Sequence, residues 1–228
     1  MITLETKLVI FDMDGTLYKF DASGADEAIY RTKFYGEVKE RGIEFIAKRL
    51  LISNEEAAET WKRIFDSYKG DVSVGLQEEY GIPKAEYFGY AWDINPSKYI
   101  KKDPELRDVL LTIKCKKALL TTAPEIWARA ALRWLEIENI FDQLWFGDDD
   151  IRKPNKGAYV RVADYFGVEP KNIVIIEDEP KYLCPAKELG MTTILVGTRT
   201  PAHTCIDSYV ERVHDILPYV KSKNRSVN

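Results

Sequence analysis

Two aspartates one residue apart, Asp12 and Asp14, come directly after four apolar residues, Leu8-Val9-Ile10-Phe11. In an extended chain, residues two apart share one side. Carboxylates crowded there repel and raise each other's pKa unless a cation lies between them. A bound metal is the economical explanation. Gly15 then lets the chain turn sharply and leaves room for a ligand beside the backbone. Two plainer readings compete. An Asp-x-Asp-Gly stretch is also good turn chemistry. A calcium loop of the EF-hand kind would need a third oxygen ligand before the glycine and a closing Glu. Gly15 follows Asp14 directly and the closing Glu is missing, which discounts the calcium loop.

More reactive groups recur downstream: Thr121 and Thr122, then Lys153, then Glu177 and Asp178. A hydroxyl, an ammonium and several carboxylates gathered at one place suit phosphoryl transfer. Oxygen-only ligands that leave a metal several waters point to Mg²⁺. Metal and lysine together would neutralise charge on the transferring group, and a carboxylate could attack phosphorus to give an aspartyl-phosphate. Attack on a carbon centre is also open, although the lysine and the hydroxyl favour phosphate.

These groups need elements that bring them together. Leu8 to Phe11, with β-branched Val9 and Ile10, reads as a fully buried strand of a parallel sheet. From Asp103 onward strands and helices alternate. Helices are expected over Pro104 to about Ile113, Pro124 to Leu135, Lys156 to Phe166 and Pro180 to Leu189. Asp103 would cap the first of these with Pro104 at its first position, and Gly190 would close the last, although Pro185 lies inside it. Strands are expected at Lys117–Thr121, Gln143–Phe146, Ile173–Ile176 and Thr192–Val196. A last amphipathic helix is expected over Ser208–Leu217 and a frayed polar tail from Lys221. The fold class is therefore α/β, a Rossmann-like doubly wound parallel sheet with right-handed crossovers. In such a sheet the reactive residues, at or just past strand ends, converge on one edge.

Between Tyr18 and Asn95 nothing reads as a parallel strand. Helical spacing runs through Ala25–Tyr35 and Gly36–Leu51, and a further helix, capped by Ser53 or Asn54, runs to about Tyr68. Gly70, Gly75 and Gly81-Ile82-Pro83 punctuate the chain beyond that helix. The core is expected to comprise residues 1–18 and 97–228, with 19–96 a helical cap.

Composition bounds the function. The chain has 228 residues, 45% hydrophobic and 31% charged, with a net charge of −4. That balance gives no basic face for a nucleic acid polymer, and an anionic substrate would need local cations. No apolar run approaches membrane length, and Glu5 so close to the first strand fits no signal peptide. Cys115, Cys184 and Cys205 are odd in number and lack CxxC spacing, which reads as reduced thiols in a cytoplasmic protein. Oligomeric state is not legible.

Asp12-Met13-Asp14-Gly15-Thr16-Leu17, Thr121, Lys153-Pro154 and Glu177-Asp178 resemble, in order and spacing, the four motifs of the haloacid dehalogenase superfamily. The resemblance covers Lys7 to about Tyr18 and Asp103 to Val196. It implies Asp12 as nucleophile and Mg²⁺ ligand, and Asp14 as general acid and base whose backbone carbonyl also binds the metal. It implies Thr121 (with Thr122 beside it) and Lys153 on the phosphate, with Asp178 and Glu177 completing the metal site. Lys156 competes for the lysine role, but Lys153 precedes Pro154 as in the family signature. Dehalogenases of the superfamily lack the second aspartate, because halide departs without a proton. Asp14 thus implies a phosphatase or a phosphomutase, acting on a small phosphorylated metabolite such as a nucleotide or sugar phosphate. Thr122 and Glu179 depart from the family's common residues.

The insert resembles the helical cap of phosphoglycolate phosphatase, beta-phosphoglucomutase and pyrimidine 5′-nucleotidase relatives. Tyr18, Lys19, Trp92 and Tyr99 are candidates for substrate contact, against simple packing between cap and core. Asp148-Asp149-Asp150 reads as a solvated acidic turn, His203 and His214 as surface residues, Cys184 as a small core residue, and Trp127 and Trp134 as one helix packed on the sheet. The competing functions are a beta-phosphoglucomutase-like phosphosugar mutase and a non-catalytic phosphate-binding regulatory protein.

Overall fold

The computed structural model describes residues 6–20, 29–197 and 203–220. The tail from Lys221 and the helical spacing at residues 25–28 lie outside them. Six strands form one parallel sheet in the order β3-β2-β1-β4-β5-β6: β1 Leu8–Phe11, β2 Lys116–Leu120, β3 Gln143–Trp145, β4 Ile173–Glu177, β5 Thr192–Val196 and β6 Ser208–Val210. β1 lies at the centre, with Phe11 registered against Leu119 of β2 and Ile176 of β4. The ends of all three strands therefore stand level, and this gathers the residues just past them.

All four residues of β1 are fully buried because both faces of the sheet are covered. Val9 and Phe11 face one apolar layer, which includes Leu106, Leu110, Trp127 and Leu132. Leu8 and Ile10 face the other, which includes Tyr159, Val162, Leu183 and Ala186. The first layer comes from helices α5 Pro104–Thr112 and α6 Glu125–Trp134, the second from α7 Lys156–Phe166 and α8 Pro180–Glu188. Pro185 stands inside α8 without ending it.

Among the described residues, four α-helices lie between β1 and α5: α1 Lys33–Leu50, α2 Asn54–Ser67, α3 Val72–Tyr80 and α4 Lys84–Ala91. Their starts are chemically marked. Ser53 and Glu56 form a reciprocal capping box, Thr32 caps α1 and Asp71 caps α3. The glycine-punctuated stretch thus holds two further helices, with Gly75 inside α3. A side chain at Gly75 would meet Ile64 of α2 at 2.3 Å, so this glycine serves close helix packing rather than a turn. The apolar layer on the Phe11 face continues unbroken into the insert through Phe34, Ile46 and Trp61.

Three expectations are corrected. Ser208–Leu217 is not a helix but the edge strand β6 followed by a 3-10 turn, Val213–Ile216. β5 leaves a pairing edge, and parallel pairing with β6 satisfies it. Cys184 and Cys205 are joined in a disulfide, with Cα atoms 4.8 Å apart, leaving Cys115 the free cysteine. The two lie 21 residues apart without a telltale spacing, and only the α8–β5–β6 path brings them together. The inference from reduced thiols to a cytoplasmic setting loses its basis. His214 is not a surface residue: its side chain is 8% exposed, with Nε2 3.0 Å from Asp103. Among the described residues no helix is long and apolar enough to cross a membrane.

Candidate active site

Asp12 stands at the first position beyond β1, and its backbone N–H donates to the Ile176 carbonyl at 2.9 Å. Its carboxylate is therefore fixed between the ends of β1 and β4. Lys153, from the loop after β3, reaches under it. Lys153 Nζ donates to Asp12 Oδ1 at 2.6 Å and to Glu177 Oε2 at 2.5 Å. All three side chains are buried. Burial works against an ammonium, but Asp12 and Glu177 outweigh it, and Lys153 is held well above the ordinary lysine range. Lys156 plays no such part; it pairs with Glu188 on the surface.

Asp12, Glu177 and Asp178 bring carboxylate oxygens within 4.8 Å of one another. With Lys153 as the buried partner, three carboxylates face one ammonium, a formal excess of two negative charges. Burial first, then the charge of Asp12, pushes Glu177 well above the usual carboxylate range and Asp178 up to about 6. Hard oxygen donors with a surplus of two charges fit a divalent cation such as Mg²⁺. Glu177 is the most occupied of the three, since Oε1 also accepts the backbone N–H groups of Asp178 and Glu179. Thr16 Oγ1 donates to Asp178 Oδ1 at 3.2 Å.

Asp14 shares the turn but not the cluster. Its Oδ1 accepts the Trp127 indole N–H at 3.1 Å and the hydroxyl of Tyr18. Burial, only partly offset by these two hydrogen bonds and reinforced by Asp12 and Asp178, pushes its carboxyl from 3.8 up to about 7. It lines a cavity of about 330 Å³ between the sheet edge and the insert. Thr122, Arg152 and Lys153 line the same cavity from the sheet side, and Tyr35, Tyr68 and Trp92 from the insert. Thr121 lies beneath, buried, its hydroxyl oxygen accepting from Ala123 N–H at 3.0 Å.

Trp92 lines the cavity. Tyr18 is buried on Asp14, and Tyr99 donates to Glu37 at 2.6 Å and meets Phe34 edge-on. Lys19 exerts its charge on Asp178. Asp148 accepts from Glu125 N–H at the start of α6, Asp149 pairs with Arg161 and Asp150 with Lys84, so the acidic run ties elements together. Glu179 pairs with Lys181. Two contributors are not legible in the sequence. Trp127 is marked only by its place in the first turns of α6, after the Thr121 strand. Arg152 forms an ion pair with Asp71 across the cavity and donates to the Gly147 carbonyl at 3.0 Å; an arginine beside the lysine was the available signal.

Comparison with known proteins gives the family and the fold. A family model described as haloacid dehalogenase-like hydrolase matches residues 6–189. A phosphorylated carbohydrates phosphatase of Thermotoga maritima is 33% identical over 102 residues, 43% of this chain and 47% of that protein. The match thus spans under half of that relative's length. A phosphoglycolate phosphatase of Shigella dysenteriae is 23% identical over 200 residues, 82% of this chain and 79% of the relative. Among solved structures, a HAD phosphatase from Thermococcus onnurineus superposes with a TM-score of 0.66 at 18% identity, covering 95% of this chain and 99% of the other. At that identity the likeness speaks for the fold alone.

Proposed function

Because the chain belongs to the haloacid dehalogenase-like hydrolases, we propose that it is a Mg²⁺-dependent phosphomonoester hydrolase working through an aspartyl-phosphate on Asp12. The observation that carries this reading is Asp14. A second carboxyl at the cavity wall, pushed up to about 7, can give a proton to a departing alkoxide near neutral pH. Halide departure would need no such group.

In the first half-reaction an Asp12 carboxylate oxygen attacks phosphorus and the ester oxygen leaves. That oxygen takes the proton from Asp14. In the second half, Asp14, now ionised, removes a proton from water as the water attacks the phosphoryl group. Inorganic phosphate leaves and Asp12 is regenerated. Lys153 holds Asp12 in place and offsets charge on the phosphoryl oxygens; Thr121 and Thr122 supply hydroxyls at the same edge. Asp12, Asp178 and the Asp14 carbonyl would hold Mg²⁺, with Glu177 chiefly anchoring Lys153. The bound ion supplies charge neutralisation on the phosphoryl group.

Residues 19–96 act as the cap in this reading, and residues 1–18 and 97–228 as the core. The Arg152–Asp71 ion pair joins the two at the cavity, and Lys84–Asp150 joins them at the surface. A closed cap excludes bulk water and strengthens each electrostatic contact within. The substrate is a small phosphorylated metabolite, the class for which the two phosphatase relatives are named. The test is phosphate release from nucleotides, sugar phosphates, phosphoglycolate and an aryl phosphate, with and without Mg²⁺, in wild type and Asp12→Asn. Metal-dependent release that disappears in Asp12→Asn is expected; release that survives the substitution overturns Asp12 as nucleophile.

A further inference from the structure

Both donors found on Asp14 reach a single oxygen, Oδ1. A carboxylate oxygen offers two lone pairs, and an indole N–H can only donate. Oδ1 is thus committed as an acceptor, and a proton carried by this carboxyl belongs on Oδ2. The donors are themselves held firmly. The turn after Asp14 closes with Gly15 N–H on the Tyr18 carbonyl at 3.0 Å, which folds Tyr18 back over the aspartate. The Tyr18 ring meets Phe20 edge-on at 5.5 Å, and Phe20 stacks on Phe34 at 4.7 Å. Trp127 is fully buried and stacks on the same Phe34, from α1 of the insert, at 4.1 Å. An aromatic group spanning core and insert therefore fixes the rotation of one carboxyl.

We propose that Tyr18 and Trp127 are positioning residues for the acid–base step, fixing the Asp14 carboxyl so that Oδ2 is the oxygen that exchanges a proton with the leaving group. This rests on the phosphomonoester reading for its chemistry and on the contacts above for its geometry. Neither residue touches the reacting phosphate; both act through Asp14. A residue that merely filled space would affect all esters alike. A residue that aims a proton matters most where the leaving group needs one.

The test uses Tyr18→Phe and Trp127→Phe, each of which keeps a ring and removes a donor. The quantity to compare is kcat/KM, which reports the steps up to phosphorylation of the enzyme. With an alkyl phosphate, whose alkoxide needs a proton, it is expected to fall about 10- to 100-fold. With 4-nitrophenyl phosphate, whose phenolate departs unaided, it is expected to fall less than about threefold. Equal losses on both esters, or no loss on either, overturn the proposal. A second measurement is independent of turnover. The chain has five tryptophans, so the Trp127 indole N–H resonance is identified by its disappearance in Trp127→Phe. It is expected to move upfield in Asp14→Ala as its hydrogen bond is lost; a resonance that stays in place contradicts the geometry. If wild type hydrolyses no ester, the phosphatase reading falls, and this resonance still decides whether Trp127 holds Asp14.

Discussion

Gly15 packs against the carboxylate of Asp178 with no room for a side chain. A Cβ at Gly15 would lie 2.1 Å from Asp178 Oδ2, and the backbone there has φ of +83°. Both facts demand glycine, and together they couple the turn after β1 to the acid after β4. Gly15→Ala is expected to cost about 1–3 kcal/mol of stability, or roughly 2–12 °C in Tm for a chain of this size. Because the new methyl displaces a proposed metal ligand, the Mg²⁺ concentration for half-maximal activity should also rise. A wild-type Mg²⁺ requirement in this variant contradicts the proposed role of Asp178.

Lys153 is the buried counter-charge for Asp12 and Glu177. Removing one partner of a buried ionic group leaves the others uncompensated, at a cost of about 3–5 kcal/mol. Lys153→Met is expected to lose that much in urea unfolding without metal. Lys153→Met combined with Glu177→Gln should lose less than Lys153→Met alone, since one stranded charge goes too. A double variant no more stable than the single would show that the charges are not what matters.

The pH dependence of stability has a definite sign. Asp14 and Asp178 are pushed from 3.8 to about 7 and about 6 by burial first. The folded chain therefore holds protons on these groups that the unfolded chain has already released. Stability from them is fully present below the ordinary carboxyl value and is lost as pH rises through 6 to 7. The metal-free protein should thus show a Tm that falls between pH 5 and pH 7.5. Mg²⁺ would compete with the proton on the Asp178 carboxyl, so it should raise Tm more at pH 7.5 than at pH 5. At ten times its Kd the gain is about 1.4 kcal/mol, or roughly 3–5 °C. An equal rise at both pH values would place the metal elsewhere.

The parts of this molecule that were legible in the sequence are those specified by local chemistry. Leu8–Phe11 reads as a strand because both faces of the central strand are covered, and the Thr192–Val196 strand and the Lys156–Phe166 helix fall at the expected residues. Asp103 caps α5 through Leu106 N–H as its spacing with Pro104 foretells. Asp12, Lys153, Glu177 and Asp178 meet because parallel strand ends are level. The features that stayed hidden depend on distant partners. Val210 forms a strand because β5 offers an edge, and Cys184 finds Cys205 only through the crossover. Tyr18 carries no mark in the sequence of its contact with Asp14; only the turn back over Gly15 brings its hydroxyl there. Trp127 looks like any buried aromatic until its indole N–H is seen to face an acid.

Asp14→Asn is expected to separate the two halves of the proposed reaction. It cannot return a proton to a leaving alkoxide or take one from water, so kcat with an alkyl phosphate should fall by about 10²- to 10⁴-fold. With an aryl phosphate the first half survives and the second does not. A burst of nitrophenol followed by slow phosphate release is expected in stopped-flow traces; nitrophenol and phosphate released together at the wild-type rate would remove Asp14 from both steps.

A covalent bond between phosphorus and Asp12 is the centre of the proposed reaction, and that bond can be trapped. Rapid acid quench of the enzyme with an aryl phosphate and Mg²⁺, followed by borohydride, reduces an aspartyl-phosphate to homoserine. Peptide mass mapping should find the conversion at Asp12 alone, at higher yield in Asp14→Asn and not at all in Asp12→Asn. Phosphate release with no modified residue, or modification at another carboxylate, would contradict the assignment of Asp12 as the nucleophile.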